Sequence, residues 1–202
     1  MGTDRAHHWN EIYRRRDREE LSWFQAEPTV SLQLIGSVTG PDASVVDVGA
    51  GRSTLARHLL DRGYEDVTLV DIAEAALTAM AEELGGRVAT ICADVTAWTP
   101  PRTWDLWHDR AVVHFLTDQA DRDAYVAALR RALRPGGHAV ISTFALDGPE
   151  RCSGLPVVRY GPDELLELVG TEDFDLLAHR PEVHRTPRGG TQRFHAVLLR
   201  RR

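Results

Sequence analysis

Short apolar runs and amphipathic stretches follow one another in regular order along most of the chain. Apolar runs at 44–48, 67–71, 87–92, 104–108 and 138–144, bounded by Gly, Pro or Asp, predict strands. Between them, apolar residues at three- and four-residue spacing predict helices over about 53–62, 73–84 and 120–133, the last closed by Pro135-Gly136-Gly137. Such alternation predicts an α/β chain with a doubly wound parallel sheet and helices on both faces. Upstream, Trp9, Ile12 and Tyr13 fall at helical spacing within residues 4–20, and Asp17, Glu19 and Glu20 break up the arginine run that follows, so it reads as a solvated helix face. An aromatic knot, Leu21-Ser22-Trp23-Phe24-Gln25, precedes Pro28, which suits the first turn of a helix over Thr29–Val38. After residue 160 the pattern changes. A helix over about 162–169 leads to two extended runs, 174–183 and 191–200, which read as an antiparallel hairpin across Pro187-Arg188-Gly189-Gly190. No repeat or linker divides the chain, so one domain is expected over 1–202, with residues 1–41 as a helical extension or lid.

Composition narrows the chemistry. The 202 residues are enough for a sizeable core, and 43% hydrophobic with 27% charged residues describes a soluble globular chain. A formal charge of -6 argues against a dedicated nucleic-acid binder. All 24 basic residues are arginine, which excludes a lysine Schiff base or lysine catalytic base. Cys92 and Cys152 stand alone, suggesting neither a disulfide framework nor a zinc site, and no metal is expected from the histidine spacing. With no signal-like apolar segment, no membrane-length run and no myristoylation pattern, the expected setting is cytoplasmic, without membrane contact.

The chemistry centres on Ser44-Val45-Val46-Asp47-Val48-Gly49-Ala50-Gly51-Arg52-Ser53, a strand ending in a glycine turn that runs into a helix. A dinucleotide fingerprint fails at its third place, where Thr54 stands. The spacing Asp47, Gly49, Gly51, Ser53 instead resembles the first motif, E/D-x-G-x-G-x-G, of class I S-adenosylmethionine (SAM) dependent methyltransferases, with Ser53 departing from the last glycine. Asp71 and Asp94 close the next two strands, and Arg134-Pro135-Gly136-Gly137 precedes the fifth, as in that family. The resemblance spans about residues 42–202. It implies a three-layer Rossmann-like fold with a seven-stranded sheet and a C-terminal antiparallel hairpin. It also implies SAM as cofactor, S-adenosylhomocysteine (SAH) as product, Asp71 on the ribose hydroxyls, Ile72 against the adenine, and Asp94 with Val95 on the adenine edge. Taken singly, Asp71 and Asp94 also read as helix caps. Their succession with Asp47 at three strand ends favours the ligand, because ligands of open α/β sheets gather at the carboxyl edge. Trp23 and Gln25 of the aromatic knot fit a cofactor cover, Gln25 toward the SAM carboxylate; a hydrophobic staple is the other reading.

The acceptor is sought at the end of the fourth strand, in Trp107-His108-Asp109-Arg110-Ala111-Val112-Val113-His114-Phe115. With Asp121-Arg122-Asp123-Ala124-Tyr125 and Asp147-Gly148-Pro149, this segment resembles the thiopurine and chalcogen methyltransferase branch, which carries W/Y-D-R-A/G there. That resemblance implies Arg110 holding an acidic substrate or water and Asp109 orienting it. His108, Asp109 and Arg110 are therefore candidate catalytic residues, and Arg110 with His114 candidate substrate contacts. Against this stand an internal Asp109–Arg110 ion pair or helix cap, and histidines that merely pack. Ionising a thiol at pH 7 costs roughly 2 kcal/mol, against roughly 4.6 kcal/mol to deprotonate a lysine, so a soft acceptor needs little help. The expected function is methyl transfer to a small molecule, a thiol-like atom slightly favoured. A protein-lysine methyltransferase is the runner-up, followed by a nucleotide-dependent oxidoreductase or a non-catalytic SAM-binding module. Oligomeric state is open.

Overall fold

A computed structural model describes residues 2–202. Of the expected N-terminal extension, Met1 lies outside the described residues. Strands β1 (Val45–Val48), β2 (Val67–Asp71), β3 (Ala89–Cys92), β4 (Trp104–Arg110) and β5 (Leu133–Phe144) pair in parallel, in the order β3-β2-β1-β4-β5. A short hairpin, β6 (Arg151–Cys152) and β7 (Leu155–Pro156), follows outside the sheet. The chain then returns as β8 (Phe174–Arg185) and β9 (Thr191–Arg201), with β9 antiparallel to β5 and β8 at the edge, completing the seven-stranded sheet. The order reverses between β1 and β4, and such a switch point opens a crevice at the carboxyl ends of the strands.

Helices α2 (Thr29–Gly36), α3 (Leu55–Asp61) and α4 (Glu74–Glu83) cover one face, where Val45, Leu69, Leu106 and Val140 meet Ile35, Leu59 and Met80. On the other face Val46, Val70, Trp107 and Ile141 pack on α5 (Gln119–Ala132) and α6 (Pro162–Val169) through Tyr125, Leu129 and Leu165. Alternate residues of β1 thus feed two cores, as a two-residue period requires. Trp98 belongs to this second core, its ring 5.9 Å from Trp104 and 6.1 Å from Trp107. Strand β3 is mostly exposed because it closes the sheet at one edge. Helix α1 (Gly2–Arg15) lies against α4, Asn10 accepting from the Ala75 N–H and Arg5 pairing with Asp121 of α5.

Two boundaries differ from the expected ones for a visible reason. Pro135-Gly136-Gly137 does not end the helix as a separate loop: Leu133 already pairs with Trp104, and the register then jumps to Leu106 with His138, so residues 134–137 bulge out of the strand. Gly136 sits there at φ +74, where a side chain would resist. The terminal hairpin is also longer than expected. Phe194 faces Phe144, the last residue of β5, so the hairpin tip beyond Glu182 overhangs the carboxyl edge.

Candidate active site

At the β1–β4 switch point lies a cavity of about 150 Å³. The glycine turn forms its floor. Gly49 (φ +66) and Gly51 (φ +51) hold left-handed backbone, and a Cβ on either would collide, at Gly49 with Val112 and at Gly51 with the Tyr13 hydroxyl. The N–H groups of Gly49 and Ala50 donate to the Val70 carbonyl at 2.7 and 3.1 Å, that of Gly51 to Asp71 at 2.7 Å, and that of Ser53 to the Ala50 carbonyl at 3.0 Å. These donors are engaged internally, so the turn does not offer the row of N–H groups that cradles a phosphate. Ser53, at the place of the missing glycine, accepts the Leu55 N–H at 3.0 Å just ahead of the first turn of α3.

The three strand-end acids all line the cavity. Asp71 accepts from the N–H groups of Gly51 and Ala73, one on each oxygen, so it both caps the turn into α4 and keeps a lone pair on each oxygen. Burial outweighs these donors and raises its pKa to about 6. Asp94 uses Oδ1 to bind the Thr96 N–H and hydroxyl at 3.0 and 2.7 Å, leaving Oδ2 outside that turn. Ile72 and Val95 stand beside these two acids on the wall. Asp47, 3% exposed, takes a 2.7 Å hydrogen bond on Oδ1 from His108 Nδ1, while its Oδ2 is buried with no partner among the described residues.

The acceptor-side candidates separate. Arg110 lines the cavity with its side chain 11% exposed; Nη1 donates to the Trp23 carbonyl at 3.1 Å, the guanidinium lies 4.5 Å from the centre of the Phe194 ring, and Glu182 is 3.9 Å from Nε. Its Nε and Nη2 are buried and make no hydrogen bond among the described residues, and burial pushes its pKa down. Asp109 does not reach the cavity. It accepts from the N–H groups of Val112 and Val113 and, at 2.7 Å, from the Tyr125 hydroxyl, so its contacts are those of a buried turn cap rather than of an acceptor-orienting group. Burial raises its pKa to about 6 despite these donors. His108 lines the cavity too, but both its ring nitrogens are engaged, Nδ1 with Asp47 and Nε2 2.9 Å from Ser31 Oγ on α2. His114 lies behind Phe115, ring centres 4.4 Å apart, outside the cavity lining; burial, then the Arg110 charge, lowers its pKa to about 3, so it is neutral. Ala111 turns the chain at φ +71.

Several wall residues carry no sequence signal. Tyr13 and Trp9 of α1 stand in the cavity with Trp23 and Phe115, Trp9 being 5.8 Å from Trp23 and 5.1 Å from Phe115 between ring centres. Burial holds the Tyr13 phenol well above its usual pKa, so it is a hydrogen-bond donor. Arg52 lines the floor with a buried, unpartnered Nε. Cys152 faces the cavity as a thiol, pushed up to about 11 by burial. The residues 22–26 over the site are pinned by their carbonyls: Ser22 to His184, Trp23 to Arg110, Gln25 to Thr54 and Ala26 to His58. The Gln25 side chain lines the cavity but donates to Glu182 at 2.5 Å, so it is already engaged. Among the described residues no group of three or more His, Cys, Asp or Glu is placed to hold a metal, and no helix is long and apolar enough to cross a membrane.

A family model described as "Methyltransferase domain" matches residues 45–137. The eEF1A lysine and N-terminal methyltransferase of Mus musculus is 25% identical over 150 residues, covering 69% of this chain and 21% of that protein, so the chain spans about a fifth of the length of such relatives. Among solved structures, the 1,6-didemethyltoxoflavin-N1-methyltransferase of Burkholderia thailandensis, with bound 1,6-didemethyltoxoflavin and S-adenosylhomocysteine, superposes with TM-score 0.71 at 24% identity, covering 98% of this chain and 84% of that one. A SAM-dependent methyltransferase from Anabaena variabilis gives TM-score 0.78 at 14% identity over 100% of this chain and 95% of the other.

Proposed function

We propose that the protein is a class I SAM-dependent methyltransferase that moves the methyl group to a nucleophilic atom of a small molecule, a soft, thiol-like atom being slightly favoured. The observation that carries this reading is the cover over the cavity: α1 and residues 21–26 bring Trp9, Tyr13 and Trp23 over the glycine turn, and the carbonyls of Ser22, Trp23, Gln25 and Ala26 tie the second of these segments down. A walled aromatic cavity suits a small acceptor better than a folded protein surface.

SAM fits the polar groups left over. Asp71 has a free lone pair on each oxygen for two ribose hydroxyls, and Asp94 Oδ2 with the Val95 N–H suits the adenine edge. Two buried orphans of opposite sign, Asp47 Oδ2 and Arg52 Nε, match the ammonium and carboxylate of an amino-acid end, with the Tyr13 hydroxyl as a further donor. When bound, SAM supplies an electrophilic methyl carbon on sulfur and leaves as SAH, a leaving group that needs no proton. The protein's work is then to align the acceptor about 3 to 3.5 Å from that carbon and to exclude water. Nη2 of Arg110, which makes no hydrogen bond among the described residues, offers a counter-charge to an anionic acceptor, with Nε held 3.9 Å from Glu182.

Calorimetry with SAM and SAH tests the cofactor: micromolar binding is expected, and no heat with either at millimolar ligand refutes it. Tritiated SAM added with the protein to cell lysate then sorts the acceptor by size. Label in the small-molecule fraction supports the proposal. Label in protein supports the second reading, lysine or N-terminal methylation, which the 25% identity to the mouse eEF1A methyltransferase favours.

A further inference from the structure

Between β1, β4 and α2 runs a buried chain of three side chains that the methyl-transfer chemistry does not itself require. Asp47 and His108 are register partners on adjacent parallel strands, so their side chains leave the sheet on the same face. Their contact is 2.7 Å, Oδ1 to Nδ1, and His108 Nε2 lies 2.9 Å from Ser31 Oγ. The three residues are 3%, 3% and 5% exposed. An ionised carboxylate only accepts, so Nδ1 carries the hydrogen in this contact whatever the charge of the ring. Ser31 fixes the ring from the other side. The imidazole is therefore held at both nitrogens, although it stands on the cavity wall.

What remains unsatisfied is Asp47 Oδ2, buried on the cavity wall with no partner among the described residues. A buried carboxylate with half its capacity unused is costly unless a cationic or donating ligand completes it. We propose that His108 is a positioning residue for the cofactor: it clamps Oδ1 so that Oδ2 faces the ammonium of the methionyl end of SAM, and Ser31 makes α2 part of the same clamp. This rests on the reading that SAM occupies the cavity. The role differs from the catalytic one suggested by the sequence, because His108 acts through Asp47 and touches neither acceptor nor methyl group.

Titration of two ligands separates the possibilities. SAH carries the ammonium; 5′-methylthioadenosine keeps the adenosine and thioether and lacks the amino-acid end. For His108→Ala, SAH affinity is expected to fall at least tenfold while that of 5′-methylthioadenosine stays within threefold. His108→Asn, whose amide N–H lies near the place of Nδ1, is expected to recover most of the loss. Ser31→Ala keeps the imidazole and leaves its far nitrogen unheld; it is expected to show the same SAH-selective pattern at three- to fivefold, which supplies the test if His108→Ala does not fold. Equal loss of both ligands, no loss of either, or no recovery in His108→Asn overturns the proposal. Failure of the unaltered protein to bind SAH would instead remove the cofactor reading beneath it.

Discussion

Replacing Gly51 by alanine tests how the N-terminal helix and the glycine turn share one space. At φ +51 left-handed backbone costs an alanine about 1 to 2 kcal/mol. Its Cβ would also run into the Tyr13 hydroxyl and come within 3.0 Å of the ring carbon that bears it. The phenol is packed among Trp9 and Trp23 and cannot swing freely, so displacing it should cost a further roughly 1 to 3 kcal/mol, the usual range for overpacking. For a chain of this size the sum, about 2 to 5 kcal/mol, corresponds to a fall in Tm of roughly 4 to 20 °C, measured without ligand. In a Tyr13→Phe background the offending oxygen is gone and the nearest ring carbon stands at 3.0 Å, a contact that a small shift relieves. There the Gly51→Ala penalty should shrink to less than half, leaving mainly the backbone cost. Differential scanning calorimetry of the four proteins gives the coupling directly. An equal penalty in both backgrounds refutes the argument, because it would mean that Tyr13 does not stand over the turn.

Three further outcomes follow from the site. Arg110→Ala should leave SAH affinity within threefold and cut methyl transfer to the labelled acceptor at least tenfold; equal loss of both would make Arg110 structural. Asp71 is an acid whose folded pKa is raised to about 6, so its protonated form favours the folded state, and its contribution to stability falls as pH rises from about 4 to about 6. The Tm of Asp71→Asn minus that of the unaltered protein should therefore climb across that window and level off above it, and a constant difference refutes the shift. Tyr125→Phe removes a donor from Asp109 and leaves the buried Trp107 indole N–H, now 3.2 Å from the phenol oxygen, without its acceptor. It should cost about 2 to 4 kcal/mol of stability with turnover unchanged below the melt; lost turnover at unchanged stability would return Asp109 to the reaction.

The strands, the switch point and the strand-end acids are legible in the sequence because each is written in a local pattern. Short apolar runs mark β1, β2 and β4, and glycines mark the two left-handed positions on the floor. The polar segment after Trp107 misleads for the same reason. Its residues look like one block of chemistry, but a strand sends neighbours to opposite faces. Asp109 goes toward Tyr125 and the α5 core, and His108 goes toward Ser31 and α2. Arg110, at the strand's end, is the one of the three candidates that lines the cavity with side-chain nitrogens free of hydrogen bonds among the described residues. Alternation counted from Trp107, a core residue, is enough to put His108 and Asp109 on opposite faces, and so to deny them a shared role at one acceptor.

The cover is illegible for a different reason. Tyr13, Trp9 and Arg52 gain meaning only from partners tens of residues away, and along the chain Trp9 and Tyr13 are an ordinary apolar stripe on an amphipathic helix. The same stripe that would bury itself on a neighbouring helix here finds a turn stripped of side chains at Gly51, and the phenol fills that gap. This makes Gly51 serve α1 as much as the cofactor. A ligand whose amino-acid end lay along the turn would meet the Tyr13 hydroxyl there, and its entry would then be coupled to the seating of α1. Tyr13→Phe should therefore alter SAH affinity even though it removes no charge, and an unchanged affinity would show that the hydroxyl stands clear of the ligand's path.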